Sequence, residues 1–167
     1  VDGGITDNLG LRAMYDVIEV AGGIKAFQGK YIRRAPTHGV LISVNASTDP
    51  EPEMDLSRKQ PSLMETVNAM SDVQLHRYNA ATLELMHASL QRWAEELSTP
   101  SRKVAAHFVQ VDFRAIDDPQ TRLFFNGIPT SFDLTDQEVD RLILAGRELL
   151  RSNPEFQRFL SDLKAFR

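Results

Sequence analysis

The stretch that decides the fold is VDGGITDNLGLR, residues 1–12, in which an Asp-Gly-Gly turn directly precedes a segment of helical periodicity. In α/β folds such turns lie where a strand ends and a helix begins, and sites are built from the carboxyl ends of strands. Gly3 and Gly4 permit backbone angles and close approaches that other residues resist. The stretch therefore predicts a strand that ends at Val1, with the Asp2 carboxylate presented on a tight turn.

Composition narrows the class of protein. The chain has 167 residues, enough for one domain with a real core, and is 42% hydrophobic and 25% charged, as globular proteins are. Its net charge of −4 argues against nucleic acid as a partner, because phosphate binding needs a basic surface. Without cysteine, neither a disulfide scaffold nor a thiolate zinc site can form. No apolar run approaches the ~20 residues of a membrane span.

Apolar periodicity and capping residues predict several helices. The first spans 9–21, with Asn8 as its cap and Gly22-Gly23 as its end. A longer one runs from 62 to about 97, and later helices are marked by a Thr135-x-x-Glu138 capping box and by Asn153-Pro154. One stripe on the long helix predicts core contact: Leu83, His87, Leu90, Ala94 and Leu97.

Only two strands are clear from the sequence. Residues 38–46 form a short apolar run that predicts a buried strand, and residues 103–116 predict a second strand. Sheets usually contain about 4–6 strands, and two strands cannot cover this many helices. We therefore expect the sheet to be incomplete within these residues and the chain to be the second half of a larger domain.

Two segments are similar to a known family. The string DGGITDNLGLRAMYDVI (2–18) resembles the second signature of the patatin-like phospholipases, in which an Asp-Gly-Gly or Asp-Gly-Ala turn precedes an Asn and a helix. The string GIPTSFDLTDQEVDRLILAGRELLRSNPEFQRFL (127–160) resembles the C-terminal tail of bacterial patatin-like proteins. The resemblance implies an α/β fold, a three-layer α/β/α sandwich. Residues 1–167 would be the C-terminal part of a single catalytic domain and would hold only the C-terminal part of the sheet.

The resemblance also implies an activity. Patatin-like enzymes hydrolyse acyl esters of lipids with a Ser-Asp dyad, and Asp2 matches the aspartate, on a turn made by Gly3 and Gly4. Asp2 would take the serine proton and return it to the leaving alcohol. No G-x-S-x-G elbow or glycine-rich oxyanion loop occurs in these residues, and neither Ser43 nor Ser131 lies on an elbow. We expect an N-terminal part of the same protein to supply both, so this fragment alone should be inactive.

Other candidate sites are weaker. His38 enters its strand at the amino end and His107 lies inside a strand, whereas His76 and His87 are eleven residues apart on one helix. These spacings argue against a metal site, and Asp2 with Asp7 makes a weak case for a hard cation. We expect neither metal nor cofactor.

The basic cluster KYIRR (30–34) has two interpretations, a solvated surface turn or a contact for anionic headgroups. The expected substrate is a phospholipid or another acyl ester. Peripheral contact with a membrane would suit such a substrate, and the sequence does not determine the compartment. The alternative function is a non-catalytic patatin-like module for interaction or regulation. A G-x-S-x-G upstream of Val1 would distinguish the two.

Overall fold

The structure is a computed structural model that describes residues 7–47, 62–129 and 131–165. In chain order the helices and strands are α1 (Leu11–Val20), α2 (Ile24–Tyr31), β1 (His38–Asn45), α3 (Leu63–Leu97), β2 (Ala105–Asp112), α4 (Pro119–Asn126), α5 (Asp136–Ser152) and α6 (Pro154–Ala165). A short 3-10 helix, Phe113–Ala115, follows β2. The fold is mixed α/β and mostly helical, as the α/β class predicted.

The strands β1 and β2, which correspond to the strands predicted at 38–46 and 103–116, pair as a small parallel sheet. The second strand is shorter than predicted, since it ends at Asp112 and a 3-10 helix follows it. The predicted burial of the first strand is wrong. Among the residues of β1, Ser43 is buried, whereas Val40, Ile42 and Val44 are exposed. A continuous apolar run predicts a strand covered on both faces. In the described part of the chain, the face that carries these three side chains is not covered.

The chain divides into two compact units, and the division crosses both strands. In the first unit, whose described residues are 7–41 and 62–108, α1 and α2 pack against α3. Tyr15 of α1 stacks on Trp93 of α3, with ring centroids 6.1 Å apart. The buried core of this unit consists of Leu11, Ile18, Ile24, Met86, Leu90, Trp93 and Phe108.

The predicted stripe on the long helix is confirmed at four of its five positions. Leu90 and Ala94 are buried, and Leu83 and Leu97 pack against the core. The stripe is wrong at His87, which is exposed, although its ring lies 5.7 Å from that of Phe108. An imidazole tolerates such an edge position because its polar atoms can remain in water while the ring contacts apolar surface.

The second unit, whose described residues are 42–47, 109–129 and 131–165, has its own core. Phe125, Ile128 and Ala145 are buried there, and partly buried side chains from the 3-10 helix, α4 and α5 pack around them. Helix α6 packs against α5. The Asn153 amide donates to the Gln110 carbonyl at 2.9 Å, so the junction of α5 and α6 is tied to β2.

Several helix ends lie where the sequence predicts them. Helix α1 ends at Gly22 and Gly23, which adopt positive φ and donate to the carbonyls of Glu19 and Ile18. The Thr135–Glu138 capping box is present at the start of α5. Asn153 caps α6, since its carboxamide oxygen accepts the backbone N–H groups of the second and third helical residues, at 2.9 and 3.1 Å.

We predict that Met86→Ala lowers the free energy of unfolding by about 2–5 kcal/mol. Met86 is fully buried in the first core, so truncation leaves a cavity in that core. The matched control is Met64→Ala in the same helix, because Met64 is 69% exposed. Urea unfolding of the three proteins measures the difference. An equal loss in both variants would contradict the assignment of this core.

We predict a pH-dependent role for Glu138. The backbone N–H and then the hydroxyl of Thr135 hold the pKa of this carboxyl below its ordinary value. A lowered folded pKa adds stability that is present above the unfolded pKa of about 4.3 and is lost as the pH falls through the folded value. The wild type should therefore exceed Glu138→Gln in stability at neutral pH, and the two should converge in acid. Urea midpoints between pH 7 and pH 3 test this, and a stability difference that persists unchanged in acid would contradict it.

Candidate active site

Asp2, the predicted catalytic residue, and the predicted turn residues Gly3 and Gly4 lie outside the described residues, so their roles remain predictions. The described residues begin at Asp7, five positions further along the chain. From there the structure shows how the chain enters α1, the helix that follows the Asp-Gly-Gly turn in sequence.

The chain enters α1 through a tight turn closed by the side chain of Asp7. The Gly10 N–H donates to the Asp7 carbonyl at 2.9 Å, and Gly10 has a φ of 65°. The two carboxylate oxygens of Asp7 accept the N–H groups of Arg12 and Ala13, at 3.1 and 2.8 Å. These are donors of the first helical turn that have no partner within a helix, and the helix dipole favours a carboxylate there. The Asp7 carboxylate therefore fixes the start of α1.

This geometry corrects the predicted cap. Asn8 was expected to cap α1, but Gly10 occupies the N-cap position and the side chain of Asp7 makes the capping hydrogen bonds. Gly10 has no side chain with which to cap, and its left-handed backbone folds Asp7 back over the helix end. Both Asp7 oxygens accept backbone N–H groups, which makes Asp7 a helix cap and weakens the case for it as a cation ligand.

The carboxyl ends of β1 and β2 carry polar side chains that the sequence analysis did not identify. Asn45 ends β1, and its carboxamide oxygen accepts the N–H and hydroxyl of Ser47, at 3.0 and 2.6 Å. Asp112 ends β2, accepts the N–H of Arg114 at 2.9 Å and lies 3.7 Å from its guanidinium. Ligands of open α/β sheets bind outside this edge. The sequence contains a signal for Asn45 and Asp112, because a polar residue at the end of an apolar run marks the end of a strand.

Neither serine considered as a nucleophile lies on a turn between a strand and a helix. Ser43 is buried inside β1, at 4% exposure. Ser131 is exposed, and its hydroxyl oxygen accepts the Asp133 N–H at 3.0 Å. A nucleophile needs a base within hydrogen-bond reach and an open approach for substrate. Ser43 lacks the approach, and the hydrogen bond of Ser131 belongs to a local turn.

The histidines are arranged differently from the prediction that treated them separately. His38 and His107 stack, with ring centroids 6.3 Å apart and planes 15° apart, in the amino-terminal halves of the two strands. The Thr37 hydroxyl lies 3.0 Å from Nδ1 of His38. His76 and His87 are exposed on α3. Within the residues that the structure describes, no group of three or more His, Asp or Glu side chains could hold a metal ion.

The basic cluster at 30–34 lies on the surface of the first unit. Lys30 and Tyr31 end α2, and the Lys30 ammonium lies 5.1 Å from the centroid of the Tyr31 ring. Tyr31 is 57% exposed and Ile32 is 39% exposed, beside the exposed Arg33 and Arg34. This combination of charge and apolar surface is compatible with a solvated turn and with a headgroup contact alike.

Comparison of the chain with protein-family models, with curated proteins and with solved structures finds no match. Across the described helices, even the 35 residues of α3 do not combine the length and hydropathy needed to cross a membrane.

We predict that Asp7→Ala destabilises the start of α1 by about 1 kcal/mol, the usual cost of losing a helix cap. Asn8→Ala, next to it in the same turn, should leave the N–H groups of Arg12 and Ala13 with their Asp7 acceptors. Amide hydrogen exchange at Arg12 and Ala13 measures the effect directly, because their N–H groups lose their acceptor in the Asp7 variant only. Faster exchange in Asn8→Ala than in Asp7→Ala would restore Asn8 as the cap.

Proposed function

We propose that this chain supplies the aspartate of a lipid acyl hydrolase of the patatin type, with Asp2 as the catalytic base. The observation that carries the proposal is the Asp2-Gly3-Gly4 turn motif, followed by a helix whose start is fixed by the Asp7 cap. In this proposal residues 1–167 are the C-terminal part of one catalytic domain, a three-layer α/β/α sandwich.

The strand arrangement supports an α/β domain. Parallel strands such as β1 and β2 need a crossover connection, and purely parallel sheets occur almost only where helices cover both faces. Ile42 and Val44 of β1 are apolar and 40% and 66% exposed. Such side chains on an open face are expected where further elements of the same domain complete the sheet. The N-terminal part of the protein is the proposed source of those elements.

The chemistry assigned to Asp2 is general base catalysis. Its carboxylate accepts the proton of a serine hydroxyl while the serine oxygen attacks the acyl carbonyl carbon, and the proton then passes to the alcohol that leaves. A water molecule, deprotonated in turn by Asp2, releases the acyl group as a fatty acid and regenerates the serine. The reference pKa of Asp is about 3.9, so the base must be strengthened by desolvation when the acyl chain binds.

The proposal requires a serine from outside these 167 residues, because they contain no G-x-S-x-G. Phospholipids and other acyl esters are the proposed substrates, and no cofactor is invoked. The lack of G-x-S-x-G in these residues also favours the second candidate, a patatin-like module without catalytic activity that acts in interaction or regulation. The two candidates differ in whether the serine exists and whether hydrolysis depends on Asp2.

We predict that Asp2→Asn in the intact protein lowers ester hydrolysis by at least about 10²–10⁴-fold, the usual contribution of a general base. The amide is nearly isosteric, so the fold should survive, but it cannot take the serine proton. The measurement is turnover of a p-nitrophenyl or phospholipid ester beside a thermal melt.

The matched control is Asp7→Asn, in the same motif. Asn keeps only one of the two oxygens that accept N–H groups at the start of α1, so this variant should keep activity and lose a little stability. Full activity in Asp2→Asn with an unchanged melt would dismiss Asp2 as the base. Absence of hydrolysis in the wild type would favour the non-catalytic candidate.

A further inference from the structure

A cleft of about 360 Å³ opens in the second unit, between α4, α5 and the segment that follows the 3-10 helix. This volume falls within the ~300–1,000 Å³ of small-molecule sites. Its floor is the buried Phe125, and Leu144 and Leu149 of α5 form an apolar wall. Arg141 supplies a cation at one end of the α5 wall, and Glu148 supplies a carboxylate about 10 Å further along the helix axis.

Arg141 is held in place by an aromatic ring and not by a carboxylate. Its guanidinium carbon lies 3.4 Å from the centroid of the Phe124 ring and 5.6 Å from that of Phe125. Within the part of the chain that the structure describes, no carboxylate lies within ion-pair distance of Arg141, and its N–H groups make no hydrogen bond. Stacking occupies the face of the guanidinium and leaves its N–H edges able to donate.

That arrangement is suited to an anion. The N–H edges of a guanidinium match the two oxygens of a carboxylate or phosphate, and these charge-assisted hydrogen bonds are stronger than neutral ones. The ring fixes the cation before a ligand arrives, which lowers the ordering cost of binding. Because Arg141 is partly buried, water competes with a bound anion less than at a fully exposed arginine.

We propose that the cleft binds an amphiphile with an anionic head and a single acyl chain. The head, a carboxylate or a phosphate, pairs with Arg141, and the chain lies on Phe125 between Leu144 and Leu149. From Arg141 to Leu149 the α5 wall runs for about 12 Å, which gives the chain an extended apolar contact. The assignment rests on the contacts of the second unit and does not depend on the proposed function.

Glu148 sets the direction of the ligand. It is exposed, and its distance from Arg141 along the helix is about one Debye length at physiological salt, so its repulsion of a head bound to Arg141 is weak. A head placed at the opposite end would lie beside this carboxylate and be repelled. The anionic group therefore belongs at the Arg141 end.

The test is titration of the protein with dodecanoate, with dodecyl phosphate and with dodecanol, below their aggregation concentrations, followed by calorimetry and by amide NMR shifts in α4 and α5. Both anions should bind, and the tighter of the two identifies the head as a carboxylate or a phosphate. Dodecanol has the same chain without the charge and should bind at least about tenfold more weakly, as expected for loss of a charged hydrogen-bond pair.

Matched variants locate the site on α5. Arg141→Gln should weaken anion binding about tenfold or more, and Arg141→Lys should keep part of it because the charge remains. Arg147→Gln, an exposed arginine of the same helix outside the cleft, should bind as the wild type does. Leu144→Asn should weaken binding, and its neighbour Ile143→Asn, which is equally exposed but outside the cleft, should not.

Thermal melts of each variant test whether the protein still folds. The proposal is overturned if neither anion binds the wild type, if dodecanol binds as tightly as the anions, or if Arg141→Gln folds and binds unchanged. Loss of anion binding in a folded Glu148→Gln variant would overturn it as well, since the proposal gives this carboxylate only a repulsive effect on the anionic head. None of these outcomes bears on Asp2, whose test is ester turnover.

Discussion

The parallel pairing of β1 and β2 is the constraint on which the described structure depends. Two parallel strands cannot be joined by a tight turn. The chain between Asn45 and Ala105 must therefore cross back from the edge where β1 ends to the edge where β1 began, because β2 begins there. The 35-residue α3 makes up most of this return. At 1.5 Å per residue α3 is about 50 Å long, roughly twice the length of an eight-residue strand.

That excess length explains why α3 has two different halves. Its C-terminal half carries the core side chains Met86, Leu90 and Trp93, which hold α1 and α2. Its N-terminal half exposes an apolar face at i, i+4 and i+7, formed by Leu63, Val67 and Met70. Helices with such faces normally pack against another element. The exposed apolar side chains of β1 are also expected to pack against another element. Both features fit the proposed larger domain.

The sequence predicted what depends on local chemistry. The glycines that end α1, the Thr135–Glu138 box and the Asn153 cap each act within a few residues, so a short string is enough to identify them. The prediction of Asn8 as a cap was wrong because a turn at Gly10 moved the capping role to Asp7. The core contacts that α3 makes at helical spacing were predicted as well, except at His87, which is exposed.

Contacts between distant segments could not be predicted in this way. Periodicity shows that β1 is apolar, but not which elements cover each face. The stacking of His38 on His107 and of Arg141 on Phe124 joins residues from different secondary-structure elements, and no spacing rule signals either pair. Of the candidate site, the motif with Asp2 was identified from sequence. The sequence could have marked Asn45 and Asp112 as strand ends, but only the pairing of the strands shows that both lie at the carboxyl edge of one sheet.

Three of the described carboxylates are held by hydrogen-bond donors, which makes them unsuited to act as a general base. The side-chain and backbone hydrogen bonds of Thr121 hold the pKa of Asp118 below its ordinary value, and the Thr135 donors do the same for Glu138. Donors aimed at a carboxylate stabilise its charged form, which makes it a poorer proton acceptor. Asp7 already accepts two backbone N–H groups at the start of α1. The start of α1 therefore uses Asp7 as a cap, and Asp2 is the proposed base because it matches the aspartate of the patatin-like motif.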